Sequence, residues 1–440
     1  MTSTSGSATA NNWRNWSRLT TTHPSEVVQP NGPDDVVAVV QRAREQGTTV
    51  KMPGTGHSFT GIAAPEGIML TPEGLSGLVA VDKEAMTATV QAGTPLHVLN
   101  AALTSHGLSL HNMGDIAEQT VAGATSTGTH GTGGVVASLS AQIAGLDLVT
   151  GTGEVLHADS ATNPEVFAVA RLGLGALGVL TAITFKVEPL FTLEAHEFPM
   201  LWDEALSRFD QLTEDAHHAE MYWFPHTDRI LAKENNRVLE DPEPLGRFRH
   251  WLDDEFLSNT VFGLVNRVGN LAPRLIPGIN NLSGQALSER TYSDVPHKVF
   301  TSPRSVVFRE MEYAVPREAG LEALAEVRRW IDASGINISF PVEVRTTPAD
   351  DIALSTSSGR ASMYLAFHMN AQTDHAAYFT GVEDILRAHD GRPHWGKLNT
   401  RTAADLQPAY PRWAEFQAVR DRLDPDRVFS NTYLRRVLGE

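Results

Sequence analysis

The sequence predicts an α+β chain built as two regions. Over the first 190 residues helix and strand patterns alternate, and at Glu188-Pro189 the composition shifts to longer, more charged segments with Trp and Pro. Beyond that point the stretches 336–345 and 363–370 alternate cleanly as strands and follow a helical pattern that opens at Pro316.

Composition sets the limits. A chain of 440 residues with 41% hydrophobic residues buries a sizeable core, as two domains or one large one. With 52 acidic against 35 basic residues the net charge is −17, which repels nucleic acid and anionic membrane surfaces and leaves small neutral substrates open. There is no cysteine, so disulfides, thiolate nucleophiles and cysteine-ligated metals are excluded, and a cytoplasmic home fits. The opening MTSTSGSATANN has neither a basic start nor an apolar core, and no run of about 18 apolar residues follows, so neither export nor a membrane span is expected.

In chain order, Trp13 and Trp16 come first, as packing residues. Pro33 and Asp34 open a helix with Val36, Val37, Val40 and Ala43 on one face, and Gly47 ends it before a strand at 48–52. That strand feeds the turn Pro53-Gly54-Thr55-Gly56-His57-Ser58, whose glycines let backbone N–H groups approach a ligand closely. It is not a nucleotide-triphosphate loop, because Gly-Lys-Ser/Thr is missing, and Gly61 comes two positions too late for a dinucleotide fingerprint. His57, taken alone, reads as a polar loop residue beside a tight turn.

A strand at 86–91 and a helix capped by Thr94-Pro95, with Leu96, Leu99 and Leu103 on its face and Gly107 at its end, continue the mixed pattern. From Met113 to Gly134 six glycines and five threonines crowd into what reads as irregular backbone. Their N–H groups and hydroxyls suit a diphosphate or a flat heterocycle, and a flexible surface loop is the competing reading. Gly173, Gly175 and Gly178 have GxGxxG spacing, but a β-rich run at 179–187 follows where that motif needs a helix. Residues 234–300 show no period.

In the second region, Leu321, Leu324, Val327 and Ile331 make a helical face that Gly335 ends. Over 336–345 the residues Ile336, Ile338, Phe340, Val342 and Val344 face one way, and Glu343 and Arg345 share the other face. Over 363–370 Met363, Leu365, Phe367 and Met369 oppose Tyr364, Ala366, His368 and Asn370. These polar faces read either as solvated or as a site, and the cluster Arg392-Pro393-His394-Trp395-Gly396-Lys397 favours a site. The seventeen histidines show no metal-ligand spacing, so no metal is expected.

The order and spacing of WRNW, GTGHSFTGIA, GDIAEQTVAGATSTGTHGTG, GALGVLTAITF, PVEVR, RPHWGK and LDPDRVFSNTYLRRVLG resemble the aldonolactone oxidoreductases, flavoproteins with the vanillyl-alcohol-oxidase type of FAD domain. The likeness is nearest to the branch oxidising L-gulono-1,4-lactone or D-arabinono-1,4-lactone, with alditol oxidases as near relatives. It implies a two-subdomain FAD-binding domain over 1–190, a mixed α/β substrate (cap) domain with an antiparallel sheet over 191–400, and a C-terminal segment, 401–440, packing back on the FAD domain. His57 would be the site of covalent attachment to FAD. The other cofactor contacts would fall on Pro53, Gly54, Thr55, Gly56 and Ser58, on Gly114 and Asp115, on Ala122, Gly123, Thr127, Gly128, Thr129, His130, Gly131 and Gly133, and, beside the adenine, on Gly178 and Ile183.

The same resemblance places the catalytic groups on Glu343, Arg345, Lys397, His368 and Asn370. Hydride would leave a carbinol carbon for the flavin, with Lys397 and Arg345 stabilising developing negative charge. Glu343 would orient Arg345 rather than act as base, since a carboxylate beside a guanidinium has a lowered pKa. Alditol oxidases carry His-x-Thr where His368 and Asn370 stand, and serine where Asp115 stands, so a lactone is expected over xylitol or sorbitol. Gly114 resembles a gatekeeper that leaves the flavin edge open, which implies dioxygen as acceptor and hydrogen peroxide as product; another acceptor would make the enzyme a dehydrogenase. A flavin or sugar binder without activity would have no need of Glu343, Arg345 and Lys397 together.

Overall fold

The computed structural model describes residues 12–133, 135–245, 272–301 and 306–440. Of the sequence features above, the Ser/Thr-rich start to residue 11, Gly134 and much of the aperiodic stretch 234–300 therefore lie outside the described residues.

Pro33–Gln46 is a helix with Pro in its first turn and Gly47 as its left-handed cap, at φ +62°. It buries Val36, Val39, Val40 and Ala43 against a three-stranded parallel sheet in the order Glu26–Val28, Ile68–Leu70, Val50–Lys51. Beside it stands a five-stranded antiparallel sheet in the order Val155–Asp159, Ile143–Val149, Val179–Lys186, Thr87–Gln91, Leu78–Asp82. The helices Leu96–Ser105, Trp413–Leu423 and Thr432–Leu438 bury their apolar faces in that sheet's core, which joins the C-terminal segment to the N-terminal region.

The region beyond residue 190 is an eight-stranded antiparallel sheet whose centre runs His218–Trp223, Val342–Thr347, Ser362–Asn370, Phe308–Pro316. Its alternation gives two unlike faces. Met311, Tyr313, Val344, Leu365 and Phe367 form one core with the helices Trp202–Asp215, Gly320–Ser334 and Ala376–Ala388. The opposite face carries Glu310, Glu312, Glu343, Arg345, Tyr364 and His368, and it meets the N-terminal region. Gly133 N–H donates to Thr346 O at 2.6 Å, and His130 Nε2 lies 3.0 Å from Glu312 Oε1.

Several local expectations change. The stretch 113–134 holds a helix, Val121–Thr127, N-capped by Thr120, whose Oγ1 accepts from Gly123 N–H at 3.1 Å, and ended by Gly128 at φ +80°. Its buried Val121, Ala124 and Thr125 replace the larger apolar side chains that would have marked it in sequence. The strand expected from 336 begins only at Val342: Ile338 N–H donates to His226 Nε2 and Ile338 O accepts from Asn280 Nδ2, so side chains take the bonds a ladder would have used. Thr94 does not cap its helix, because Pro95 occupies that position and Thr94 Oγ1 binds Gly77 and Gln91 instead. No helix among the described residues is long and apolar enough to cross a membrane.

Candidate functional site

Two adjoining cavities share His57, Ser58, Gln119 and Thr127 in their linings, and only the second reaches the eight-stranded sheet. The first encloses about 850 Å³, mouth included, between the 53–58 turn, the helix Val121–Thr127 and the start of strand Val179–Lys186. Backbone at Gly54, Gly56, Gly123 and Gly178 and the hydroxyls of Thr55, Thr120 and Ser126 line it, with no carboxylate and one cation, Lys51. Lys51 is buried and donates to Gly175 O at 2.9 Å and Phe429 O at 3.0 Å, and burial drives its pKa down to about 7. A long anionic ligand carrying a diphosphate fits such a lining.

His57 spans the junction. Its ring stacks on Trp16, centroids 5.8 Å apart, so Trp16 serves the site as well as the packing of Phe59 and Phe308. Burial lowers the His57 pKa, Glu118 works the other way and Lys397 adds to the lowering, so the ring is neutral at neutral pH.

The second cavity, about 700 Å³ with its mouth, is a charged chamber. Glu310, Glu312, Glu343 and Arg345 reach it from the sheet, Asp115, Thr129 and His130 from the N-terminal region, and His394 and Lys397 from the turn after the short strand Arg392–Pro393. That turn hangs from the strand Phe308–Pro316: His394 N–H donates to Glu312 O and Leu398 N–H to Glu310 O, each at 3.0 Å. Lys397 Nζ lies 2.5 Å from Glu310 Oε2, and His368 Nε2 lies 3.5 Å from Glu310 Oε1. Burial opposes the Glu310 charge, but Lys397 and His368 hold its carboxyl at about 2. Arg345 is gripped by Glu220 at 2.9 Å, by Glu343, and at 3.8 Å by Asp115. Although burial disfavours its charge, these three acids keep its pKa well above the usual value. Tyr222 donates to Glu343 at 3.2 Å.

His130, Glu312 and His394 bring three possible ligand atoms within 4.8 Å of one another. Their hydrogen bonds favour proton sharing over a metal. His394 Nδ1 accepts from Gly396 N–H at 3.1 Å and burial pushes its pKa down to about 4, so the neutral ring keeps its hydrogen on Nε2, where a metal would need a lone pair.

Of the residues singled out in sequence, Gly54, Thr55, Gly56, Ala122, Gly123 and Gly178 line the first cavity, His57, Ser58 and Thr127 line both, and Gly114, Asp115, Thr129, His130, Glu343, Arg345, His368 and Lys397 line the second. Pro53, Gly128, Gly131, Gly133, Ile183 and Asn370 line neither. Gly128 caps a helix, and a Cβ at Gly131 would strike Asn112 and Met113 O, so that glycine serves packing. Gly133, at φ +59°, presses on the His218 backbone, and Ile183 is buried in its sheet. Asn370 shares the His368 face but lies at the strand end, where its Oδ1 accepts from Gln372 N–H at 2.9 Å. Sequence reasoning missed Glu310, Glu312 and Glu220, and the alternation Glu310-Met311-Glu312-Tyr313 was the signal available.

A family profile described as FAD binding domain matches residues 24–159, and one described as D-arabinono-1,4-lactone oxidase matches residues 183–437. L-gulono-1,4-lactone dehydrogenase of Mycobacterium tuberculosis is 40% identical over 427 residues, 97% of this chain and 99% of that protein. L-gulonolactone oxidase of Bos taurus is 31% identical, covering 97% and 98%, and D-arabinono-1,4-lactone oxidase of Eremothecium gossypii is 27% identical, covering 95% and 93%. The solved structure of cholesterol oxidase from B. sterolicum aligns with TM-score 0.80 at 17% identity over 98% of this chain and 97% of that one, a likeness of fold.

Proposed function

The chain belongs to the D-arabinono-1,4-lactone oxidase family of FAD-dependent oxidoreductases, and from that premise we propose that it oxidises an aldono-1,4-lactone, L-gulono-1,4-lactone or D-arabinono-1,4-lactone, in the second cavity. The observation that carries the reading is the junction itself: a carboxylate-free, glycine- and hydroxyl-lined cavity opens at His57 and Ser58 into a chamber holding Arg345 and Lys397. The first lining fits FAD, with backbone at Gly54 to Ser58 and Gly123 to hold its diphosphate. Bound FAD supplies the acceptor for hydride from the substrate carbon.

The protein supplies orientation and charge. Arg345, fixed on three sides by carboxylates, and Lys397, fixed by Glu310, present cations where negative charge develops during the reaction. Glu343 orients Arg345 and, being paired with it, is a poor base, so the substrate's hydroxyl proton leaves to water or another neighbour. His368 is the hydroxyl-directed contact, and Asn370 follows it on the same face at the strand end. The neutral ring of His57 is a suitable nucleophile for covalent attachment of the flavin.

For the acceptor we propose dioxygen, giving hydrogen peroxide, with a dehydrogenase using another acceptor as the second reading; the names of the relatives include both. Gly114 lines the chamber, but its role is not that of a left-handed turn, since its φ is not positive. A Cβ there would lie 2.8 Å from Thr129 Cγ2 and 3.3 Å from His130 O, so alanine would act through Thr129 rather than as a simple plug. The division at residues 190 and 400 belongs to the proposal, supported by the separate sheets and by the C-terminal helices in the core of the N-terminal region. A cytoplasmic location is proposed on the cysteine-free composition.

The test is a panel of L-gulono-1,4-lactone, D-arabinono-1,4-lactone, xylitol and sorbitol, assayed for oxygen uptake and for reduction of an artificial dye. Lactone-dependent turnover in either assay supports the reading. Turnover of polyols alone would replace it with an alditol oxidase.

A further inference from the structure

We propose that Glu310 is a specificity-determining residue: by occupying Lys397 it makes the chamber accept the closed, neutral lactone and reject the ring-opened aldonate. The inference rests on the reading of the chamber as an aldonolactone site. A lactone and its hydrolysis product keep most of the same hydroxyls, so hydroxyl contacts alone separate them poorly. They differ in charge, because the open form carries a carboxylate at neutral pH.

A carboxylate entering a buried chamber needs a cation with charge to spare. The chamber's lining has two side chains that are always cationic at neutral pH, and both are already matched. Lys397 Nζ is 2.5 Å from Glu310 Oε2, and Arg345 is held by Glu220, Glu343 and Asp115. Four lining carboxylates, Asp115, Glu310, Glu312 and Glu343, face these two cations, an excess of two negative charges. The histidines offer no spare cation either: His130 turns Nε2 to Glu312 at 3.0 Å and His368 turns Nε2 to Glu310 at 3.5 Å.

Glu310 is the member whose removal would unmask a cation. It is the partner of Lys397, whereas Arg345 keeps two carboxylates if any one is lost. Glu310 is buried and Lys397 half-buried, so bulk water screens their attraction only in part and an unmasked ammonium would attract the next anion.

The experiment uses the flavin-loaded enzyme, with sodium L-gulonate and L-gulono-1,4-lactone as probes. It records the change in the visible flavin spectrum on binding, together with competitive inhibition of lactone oxidation. Wild type is expected to respond to the lactone and to bind gulonate far more weakly. Glu310→Gln is expected to bind gulonate roughly 10–100-fold more tightly than wild type, the worth of one charge-assisted hydrogen bond. Adding Lys397→Met to it is expected to abolish that gain. Glu310→Ser removes the same charge with a different side chain and gives the same gain, so poor folding of one variant does not hide the answer. Gulonate binding to wild type as tightly as the lactone, or no gain in either Glu310 variant, would overturn the inference. A wild-type enzyme that responds to no lactone would instead overturn the functional reading beneath it.

Discussion

Replacing Lys397 with methionine separates what this residue does for the fold from what it does for the reaction. Its ammonium lies 2.5 Å from Glu310 Oε2, and without it Glu310, 5% exposed, is left with His368 at 3.5 Å. Two routes give the cost. Breaking one partner of a buried ion pair is worth roughly 3–5 kcal/mol. The Glu310 carboxyl is held down from 4.5 to about 2 against burial, by Lys397 first and His368 second, and the net depression is of the same order, about 3 kcal/mol at neutral pH. The sign is that of a depressed acid: the stabilisation is present above the unfolded value and is lost as pH falls through the native one. Urea unfolding of Lys397→Met at neutral pH is therefore expected to show a loss of about 3 kcal/mol. Adding Glu310→Gln removes the stranded charge and is expected to restore most of it. Rapid mixing with lactone is expected to show flavin reduction slowed roughly 10²–10³-fold in the single and double variants alike, because the group that meets developing charge is missing from both. A normal reduction rate in Lys397→Met, or its recovery in the double variant, would refute the assignment of Lys397 to the reaction.

The other predictions concern the cofactor bond, the second substrate and acid. His57→Ala is expected to release all flavin into the supernatant on acid precipitation while wild type keeps a coloured pellet; a colourless wild-type pellet would refute covalent attachment. Gly114→Ala is expected to slow reoxidation of the anaerobically reduced enzyme by air-saturated buffer, and Gly114→Ala with Thr129→Ser to recover some of the rate by relieving the 2.8 Å contact. Equal and very slow reoxidation in wild type and variant would leave a non-oxygen acceptor. Burial pushes His218 down to about 3 and His394 down to about 4, so the unfolded chain binds protons that the native protein does not. Their contribution is full above the unfolded value of about 6.5 and falls with pH toward the native values by roughly 1.4 kcal/mol per unit for each. Unfolding midpoints in urea that stay the same between about pH 7 and about pH 5 would contradict this.

Much of the framework was legible because local signals agree with tertiary packing. The Val36, Val40 and Ala43 face, the Gly47 stop and the alternation of Met363 to Met369 all survive in the fold, since each buries its apolar side where its period says. The helix Val121–Thr127 was not legible, because its small Thr, Gly and Ala side chains give no large apolar face to mark its period. The strand before Val342 was misread because Asn280 and His226, distant in sequence, take the bonds at Ile338. At the site, His57, Arg345 and Lys397 stood out in short motifs, whereas Glu310, Glu312 and Glu220 sit in strands whose polar face looks solvated until the N-terminal region covers it. Asn370 shares the His368 face at the strand end without lining the chamber, because alternation fixes the face but not how far along the strand the chamber extends.

The most direct test of the account is to mix the flavin-loaded protein anaerobically with L-gulono-1,4-lactone, D-arabinono-1,4-lactone or xylitol and follow the visible flavin absorbance. The account predicts rapid bleaching by at least one of the lactones and little by xylitol. A flavin that keeps its colour with both lactones would contradict it.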